Sequence, residues 1–460
     1  MVFSSNVFLF LFLPLTLAAY YLTPRRGRNL TLLAASLVFY GWGEPRFLAV
    51  MVFVILVNYA GGLAIAPLRG RRAGKAVLAA VVAANLAVLF YFKYTAFFLG
   101  SVNALLRPDA ALSIPKIALP IGISFYIFQS MSYTIDVWRG TVEPQKNVVS
   151  FGAYVSLFPQ LIAGPIVRYR DVAEQLAERR ESVSQAASGA ELFVIGLGKK
   201  VLLANQMGLL WESLIPESGT AAAWVGMAAY TLQIYFDFSG YSDMAIGLGR
   251  MLGFEFLKNF DYPYISTSIT EFWRRWHISL SSWFREYVYI PLGGNRRGVA
   301  RQLLNIAAVW ALTGLWHGAS WNFVLWGLYY AALLIAEKLF LLRAAEKLPS
   351  WLRRAGVLLI VSVGWMLFYF EDSAELFAFL PRLVSFAPSS GRAIDLMLGC
   401  APITLVSAVA ATPLCARAYA AVSGKSWARA LRLAALALVL ALCVAELASQ
   451  SYNPFIYFRF

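Results

Sequence analysis

The sequence has few charged residues for its length. Asp, Glu, Lys and Arg together make up 14% of its 460 residues, whereas hydrophobic residues make up 60% and the mean hydropathy is +0.64. A water-soluble chain of this size carries roughly a quarter charged residues. The shortage of charge therefore excludes an ordinary soluble domain. Apolar runs long enough to cross a hydrocarbon core indicate an all-α polytopic membrane protein.

Cysteine and histidine are also scarce. Cys400, Cys415 and Cys443 lie in or beside apolar runs, with no CxxC or Cys/His spacing, so we assign them no disulfide, metal or nucleophilic role. The sequence has no GxSxG and no HExxH motif, which are signatures of a serine hydrolase and of a zinc protease. We therefore expect no metal and no tightly bound cofactor. The sequence contains only two histidines, His277 and His317.

Acidic residues are scarcer than basic ones. The chain has 39 Lys and Arg against 24 Asp and Glu, a formal charge of +15. The excess lies in short loops between apolar runs, such as "PRRGR" (24–28), "RGRRAGK" (69–75) and "NRRG" (295–298). The positive-inside rule accounts for this pattern, so these loops are expected to face the cytoplasm and anionic lipid headgroups. Membrane lipid is the expected partner, and nucleic acid is not.

Apolar runs follow one another along the chain. They lie near residues 5–23, 30–43, 47–67, 76–98, 117–137, 148–167, 189–213, 221–250, 303–318, 320–340, 355–370, 395–414 and 429–448. The run at 30–43 is short, and the prolines of "SLFPQLIAGPIV" (156–167) favour a re-entrant segment buried in protein. We predict about eleven transmembrane helices in a single membrane domain, 1–460. Residues 254–302 are predicted to form a cytoplasmic-side segment, and 449–460 a tail on the outer side.

The first apolar run has no positive residue before it and several after it. A cleavable signal peptide has the reverse arrangement of charge. We therefore expect this run to remain as the first span, with the N-terminus outside.

Aromatic residues and arginines are interspersed in "EFWRRWHISLSSWFREYVYIPLGGNRRG" (271–298). On a helix, one stripe holds Phe272, Trp276, Leu280, Trp283 and Tyr287, and Trp273 and Phe284 widen it. The opposite sector holds Arg274, Ser281 and Arg285. We expect an amphipathic helix in the interface plane, with His277 on the border between the two sectors. His277 is then either an ordinary half-buried interfacial side chain or a pocket residue.

The second histidine lies in "VWALTGLWHGASWNFVLW". A helix that begins at Gln302 carries His317 about 22 Å along its axis, inside the hydrocarbon core. An ionisable residue at that depth indicates a functional site. Gly314 and Gly318 flank it, and these small residues either leave room for a substrate or serve close helix packing.

Polar residues also interrupt the apolar run "QIYFDFSGYSDMAIG" (233–247). Tyr235, Ser239, Ser242 and Asp243 share a helical face that is expected to point into the bundle. Ser239, Tyr241 and the acids Asp237 and Asp243 are candidate site residues. The two acids either form a proton or ion relay, as in a transporter, or pair structurally with an arginine of a neighbouring helix. The residues alone do not separate these alternatives.

Several long motifs of the chain resemble one family. They are "MVFSSNVFLFLFLPL", "LPIGISFYIFQSMSYTIDVWRG" (119–140), "LFPQLIAGPIVRY" (157–169), "QIYFDFSGYSDMAIGLGRMLGF" (233–254), the 271–298 stretch and "LTGLWHGASWNFVLWG" (312–327). Together they resemble the bacterial membrane-bound O-acyltransferases, most closely the branch that O-acetylates alginate and peptidoglycan. The resemblance covers nearly the whole chain. It implies a rim of spanning helices around a central tunnel, where a cytoplasmic acyl donor meets an acceptor from the other side.

The resemblance also implies roles for particular residues. His317 matches the intramembrane histidine regarded as catalytic, and His277 matches a second histidine on the cytoplasmic side. Acetyl-CoA is the implied acyl-donor substrate. Candidates for lining the tunnel or holding the donor are Arg274, Arg275, Trp276, Arg285, Trp316 and Asn322, and Arg296 and Arg297 are further candidates for its phosphates.

The chemistry of the two histidines suits such a transfer. A neutral imidazole, with an unperturbed pKa of about 6.5, is the side chain suited to remove a proton from a hydroxyl at physiological pH. We expect His317 to be that base, and His277 to orient the donor or to assist protonation of the leaving thiolate. Direct transfer is favoured over a covalent intermediate because no nucleophile motif is present.

The resemblance further implies a partner and a location. The relatives work in the bacterial cytoplasmic (inner) membrane and supply acetyl to an extracytoplasmic SGNH-esterase-type acetyltransferase, which esterifies the polysaccharide. The tail "NPFIYFRF" (453–460) resembles a terminal motif in which a tyrosine has been proposed to carry the acyl group. Here the last residue is Phe460, with Tyr457 three residues before it. We therefore expect the tail to pack near the tunnel or to dock the partner.

A protein of a different class would also fit part of this pattern. A transporter or flippase for lipid-linked sugars would use Asp237 and Asp243, and a scaffold of a polysaccharide-export complex would need no catalysis. The absence of a visible repeat and the location of both histidines in Trp-rich motifs count against the transporter or flippase. Thioester cleavage that depends on His317 distinguishes the enzyme from these alternatives.

Overall fold

A computed structural model describes residues 1–162, 164–449 and 452–456, and helices are the only regular secondary structure in these residues. The first α-helices are α1 Leu13–Leu22, α2 Arg28–Gly41, α3 Leu48–Ile65, α4 Arg72–Leu89, α5 Thr95–Asn103, α6 Ile123–Arg139, α7 Val148–Ser156, α8 Phe158–Leu161, α9 Tyr169–Ala177, α10 Val183–Gly198, α11 Asn205–Leu214 and α12 Thr220–Met251. They are followed by α13 Ile269–Arg275, α14 Ile278–Phe284, α15 Val299–His317, α16 Trp321–Ala336, α17 Leu342–Ala345, α18 Ser350–Tyr369, α19 Ser373–Phe379, α20 Gly391–Ala410, α21 Leu414–Val422 and α22 Ser426–Ser449.

Wider and tighter helical turns adjoin these α-helices. Wider π-helical turns lie at Phe8–Phe12, Phe90–Tyr94, Lys199–Ala204, Arg285–Tyr289 and Glu337–Leu341. Tighter 3₁₀ turns lie at Arg25–Gly27, Pro45–Phe47, Ala66–Leu68, Pro108–Ala110, Pro263–Ile265 and Leu380–Leu383. Turns of the π type are rare in proteins, and those that do occur are frequently found at functional sites.

Six helical segments within the described residues are long and apolar enough to cross a membrane. They are Pro45–Leu68, Arg72–Asn103, Trp321–Ala345, Ser350–Tyr369, Gly391–Ala410 and Ser426–Ser449. Each corresponds to one of the predicted apolar runs, and the first run forms a shorter apolar helix, Phe8–Leu22. The helical, multi-pass character of the chain is confirmed. The total of about eleven spans stays a prediction.

The described residues form two compact units. The first contains Met1–Phe193 and Met244–Leu257, and the second contains Val194–Asp243 and Lys258–Phe460. Helices α10 and α12 contribute residues to both. The prediction of one membrane domain over the whole chain is not tested by this division.

Aromatic packing and one buried amide pair characterise the first unit. The Phe12 ring lies 5.5 Å from that of Phe39 and 5.3 Å from that of Phe158. Asn58 on α3 and Asn85 on α4 each donate from Nδ2 to the other's Oδ1, at 2.9 and 3.1 Å. These reciprocal bonds satisfy polar groups that have no access to solvent. The described residues of 156–167 are buried, as expected for a segment enclosed by protein.

Close packing of α15 against α16 characterises the second unit. A β-carbon on Gly314 would overlap the carbonyl oxygen of Phe323, and one on Gly327 would overlap the carbonyl of Trp310. The two glycines therefore let the helix backbones approach closely. Beside this contact, the Trp273 ring lies 4.7 Å from that of Tyr330. This packing fixes the end of α15, where His317 lies.

Candidate active site

His277 lies at a break between two short helices. Helix α13 ends at Arg275, α14 begins at Ile278, and His277 adopts the left-handed backbone conformation with φ 44° and ψ 54°. Such a conformation is uncommon for a residue with a β-carbon. The prediction of one continuous amphipathic helix is therefore wrong at this point. The predicted apolar stripe is nevertheless buried: Phe272, Trp276, Leu280, Trp283 and Tyr287.

Asn259 holds this break in place. Its carbonyl oxygen accepts a hydrogen bond from the Ile278 N–H at 3.0 Å. Its side-chain Oδ1 accepts from the Ser279 N–H at 3.2 Å and the Ser279 hydroxyl at 2.9 Å, and the Nδ1 atom of His277 lies 3.2 Å from the same oxygen. Asn259 thus satisfies N–H groups that the first turn of α14 leaves without a helical partner. Sequence reasoning missed it, because no periodicity or motif spacing connects it to His277.

Glu337 fixes the start of α13. Its carboxylate accepts hydrogen bonds from the backbone N–H of Ile269 at 2.5 Å and of Thr270 at 2.8 Å, and from the Thr270 hydroxyl at 2.8 Å. A negative charge at a helix N-terminus also interacts favourably with the helix dipole. Sequence reasoning missed this residue too. An acid inside an apolar run was the available signal.

His317 is the last residue of α15 and is only 6% exposed. Its ring packs edge-to-face with the rings of Trp326 and Phe368, with centroid distances of 5.1 and 5.4 Å. Of the two interpretations of the neighbouring glycines, close packing fits Gly314, which lies against α16, and Gly318, where a β-carbon would overlap the Phe323 ring. Surrounding aromatic rings, rather than open space beside glycine, hold the imidazole in place.

Both histidines line one cavity of about 320 Å³ in the second unit. Among the other lining residues are Thr270, Trp273, Arg274, Leu280, Ser281, Phe284, Arg285, Tyr289, Trp310 and Thr313. His277 and His317 are buried, whereas Arg274 and Arg285 are exposed. The cavity therefore links two buried imidazoles to two solvent-accessible guanidinium groups. The predicted polar sector, Arg274, Ser281 and Arg285, faces this cavity.

Burial lowers the pKa of His277 well below its ordinary value of 6.5, and repulsion from a charged His317 lowers it further. Both effects disfavour the protonated ring. His277 is therefore neutral at physiological pH. Because a charged His317 disfavours protonation of His277, the cavity resists holding two imidazolium ions at once.

The acids of α12 form a separate cluster with lysines. Asp237 lies 2.6 Å from Lys200, and both side chains are buried. Asp243 lies 2.6 Å from Lys199. Of the two alternatives for these acids, structural pairing is the one observed, with lysine in place of the expected arginine. Lys200 and Lys199 come from a π-helical turn that the sequence pattern did not distinguish from ordinary helix.

The chain's tail packs against this acid cluster. The backbone N–H of Ile456 donates to Asp237 Oδ2 at 2.8 Å, and the Lys200 ammonium donates to the carbonyl of Pro454. The Phe455 ring stacks on Tyr241 at 4.7 Å. Residues 452–456 thus pack against α12 and the π-helical turn, and the expectation that the tail lies near a tunnel or docks a partner stays a prediction. Tyr457 and Phe460, the predicted tail candidates, lie outside the described residues.

The remaining candidates lie outside the lining of the cavity. Trp276 is buried against Trp365, with ring centroids 4.7 Å apart. Arg275 pairs with Glu271 and Asp261. The other positions are as follows: Trp316 is buried with its ring 6.0 Å from that of His277, Asn322 donates to the Phe370 carbonyl at 3.3 Å, and Ser239 is buried in α12. Their roles in binding a donor or lining a tunnel stay predictions.

Comparison with known proteins gives a consistent assignment. Residues 145–371 match the model of the membrane-bound O-acyltransferase (MBOAT) family. The chain is 42% identical to a probable alginate O-acetylase of Azotobacter vinelandii and 41% identical to one of Pseudomonas putida, in each case over 100% of both chains. It is 32% identical to a peptidoglycan O-acetyltransferase of Helicobacter pylori, over 74% of this chain and 71% of that one. The chain belongs to the membrane-bound O-acyltransferase family and is a multi-pass membrane enzyme that transfers acyl groups to oxygen.

Proposed function

We propose that this enzyme takes an acetyl group from a cytoplasmic thioester, acetyl-CoA, and passes it across the membrane for O-acetylation of a cell-surface polysaccharide. Relatives named as alginate O-acetylases and as a peptidoglycan O-acetyltransferase support this class of acceptor. The observation that carries the proposal is that His277 and His317, the two histidines of the chain, line the same cavity.

His317 is the general base in this proposal. Its imidazole takes the proton from the acceptor hydroxyl as that oxygen attacks the thioester carbonyl carbon. The carbon–sulfur bond then breaks, the acetyl group stays on oxygen, and the proton passes from the imidazolium to the leaving thiolate. The edge contacts of His317 with Trp326 and Phe368 support a fixed ring orientation, which such a transfer requires.

His277 orients the reactants. Its lowered pKa keeps the ring neutral, so it is a poor source of a proton for the leaving thiolate. This favours the first of the two roles expected for it, alignment of the donor, over the second. The resistance of the site to a second charge also favours a single proton that moves through His317.

Arg274 and Arg285 hold the phosphates of the donor. Their exposed guanidinium groups lie where a polyanion can reach them, and charge-assisted hydrogen bonds to phosphate are among the stronger ones in proteins. The cavity, about 320 Å³, is at the low end of the range for ligand pockets. It suits the acyl thioester end of acetyl-CoA, with the nucleotide end outside.

The number of spans, the location and the partner of this enzyme are inferred from its family. We infer about eleven spans with a central tunnel in the bacterial cytoplasmic membrane, and an extracytoplasmic SGNH-esterase-type partner that transfers the acetyl group to the glycan. The apolar runs and the basic loops support this arrangement. The docking of residues 452–456 beside Asp237 supports a structural role for the tail.

Release of free thiol from acetyl-CoA tests the proposal. The purified protein in detergent micelles, given an alcohol acceptor, should cleave the thioester, and His317→Ala should lower the rate by about 10² to 10⁴-fold. Leu304→Ala is the matched control, because Leu304 lies on the same helix and is 63% exposed. Equal rates for wild type and a folded His317→Ala protein would remove the base from the mechanism. Absence of cleavage by every version would favour the transporter or scaffold.

A further inference from the structure

We propose that Asn259 is a positioning residue that holds His277 as the Nδ1–H tautomer, so that His277 presents Nε2 as a hydrogen-bond acceptor for an N–H group of the acyl donor. The inference rests on the proposed function for the role of the site. Its structural part, the tautomer, can be tested without any assay of activity.

The orientation of the Asn259 amide is fixed by a backbone group. The Ser279 N–H can only donate a hydrogen bond, and it lies 3.2 Å from the atom assigned as Oδ1. An NH₂ group at that position would face another donor. The opposite end of the amide, Nδ2, donates to the Ser242 hydroxyl at 3.0 Å. The network therefore assigns oxygen to the side that faces His277.

This oxygen determines which ring nitrogen of His277 carries the proton. Nδ1 lies 3.2 Å from Asn259 Oδ1, and an amide oxygen can only accept. Nδ1 must therefore be the donor. In a neutral imidazole the other nitrogen, Nε2, then carries the lone pair.

The same residue also fixes the position of the ring. The carbonyl oxygen of Asn259 accepts a hydrogen bond from the backbone N–H of Ile278, the residue after His277. Asn259 therefore holds both the backbone next to His277 and its imidazole ring. Asn259 and His277 are each 1% exposed. The left-handed conformation of His277 persists because these contacts specify it, and such conformations are concentrated at functional sites.

The tautomer limits what His277 can do in the reaction. A ring whose Nε2 bears a lone pair accepts a hydrogen bond or a proton, and it has no proton on that nitrogen to give. His277 then aligns the donor through the hydrogen bond that Nε2 accepts, and the single proton of the acceptor hydroxyl is left to His317. Protonation of the leaving thiolate by resting His277 is excluded under this assignment.

Magnetic resonance of ¹⁵N-labelled histidine tests the tautomer directly, because only two imidazoles contribute signals. His317→Ala leaves His277 as the sole histidine and assigns its resonances. We expect Nδ1 to show the protonated shift and Nε2 the unprotonated shift. Asn259→Leu should abolish this preference, whereas Ser242→Ala should retain it because the Ser279 N–H still orients the amide. A protonated Nε2 in the wild-type protein, or no response to Asn259→Leu, would overturn the inference.

Kinetics test the consequence for the reaction. Asn259→Leu should lower thioester transfer by about 10 to 100-fold, the usual effect of losing the partner that orients a functional histidine. Asn259→Asp keeps an acceptor and adds a negative charge that favours protonation of His277. Activity should therefore be higher than in Asn259→Leu, and the acid limb of the pH–rate profile should move to higher pH. A structural defect alone would not move that limb.

Two sets of outcomes separate the positioning role of Asn259 from the proposed function. If His277→Asn is inactive but both Asn259 variants keep wild-type rates and pH profiles, the positioning role is wrong and the proposed function stands. If His277→Asn and His317→Ala both keep full activity, the proposed function fails. Asparagine is the replacement at position 277 because it tolerates the left-handed conformation.

Discussion

The carboxylate of Asp237 lies 2.6 Å from the ammonium of Lys200, with side-chain exposures of only 2% and 4%. Lys200 also donates to Asn205 Oδ1 at 2.9 Å. Two buried opposite charges are tolerated when they pair and when hydrogen bonds satisfy the remaining polar atoms. This pair connects α12 to the preceding π-helical turn and supports the tail.

Removing one member of this pair should be costly. Lys200→Met leaves the Asp237 charge buried without its cation, and we expect a loss of about 3 to 5 kcal/mol in the free energy of unfolding. The double variant Lys200→Met/Asp237→Leu should recover much of it, since no charge remains. Denaturation in detergent measures both. Lys258→Met is the control, because the exposed Lys258–Asp261 pair contributes about 1 kcal/mol or less. Equal losses for the single and double variants would contradict this account.

The contact between α15 and α16 should be intolerant of a methyl group. Gly314→Ala places a β-carbon against the Phe323 carbonyl, and we expect a destabilisation of about 1 to 3 kcal/mol together with lower activity, because His317 ends the same helix. Gly356→Ala is the control: Gly356 is within α18 and its β-carbon would meet nothing within 4 Å. That change should be neutral or slightly stabilising. Thermal melting distinguishes them, and a stable Gly314→Ala protein would refute the close contact.

Two cavity-lining arginines should determine donor affinity. Arg274→Gln and Arg285→Gln should each raise KM for acetyl-CoA about tenfold with little change in kcat, because each removes a charge-assisted bond to phosphate. Arg275→Gln is a closely matched control, since its side chain pairs with Glu271 and Asp261 and does not line the cavity. The KM difference should shrink at high ionic strength. The same KM change in all three variants would argue against a specific phosphate site.

The buried His277 should make the protein sensitive to acid. Its pKa in the folded protein is below the ordinary 6.5, so the unfolded chain binds an additional proton as the pH falls below that value. Stability should therefore decrease by up to about 1.4 kcal/mol per pH unit below about pH 6.5. His277→Asn should lose this part of the dependence. Melting temperatures from about pH 7.5 to pH 5 test the sign. Identical slopes for the two proteins would contradict a buried neutral ring.

The sequence was sufficient to predict the helical membrane class, and it singled out the two histidines that line one cavity. Hydropathy and length located the runs that became the six apolar segments, because burial in lipid requires continuous apolar sequence. The scarcity of histidine made His277 and His317 conspicuous. Helical periodicity also identified the buried stripe around Trp283, since the residues on each side of the break remain helical.

Features that depend on distant contacts were not predictable from local pattern. The break at His277 arises from hydrogen bonds to Asn259, and nothing in the residues around His277 encodes that partner. Likewise, the lysine partners of Asp237 and Asp243 precede α12 along the chain and became visible only in the folded protein. The small residue Gly314 beside His317 fitted either a substrate cavity or a helix contact, and only the position of Phe323 distinguishes these two interpretations.

The most direct test of the central claim is transfer of radiolabelled acetyl from acetyl-CoA across proteoliposomes that contain this enzyme and the proposed extracytoplasmic partner. Wild type, His317→Ala, His277→Asn and Leu304→Ala are compared at equal protein incorporation. Label should reach the partner on the far side with wild type and Leu304→Ala, and should fall by about 10² to 10⁴-fold with His317→Ala. Undiminished labelling by a folded His317→Ala protein would contradict the proposal that this cavity catalyses the transfer.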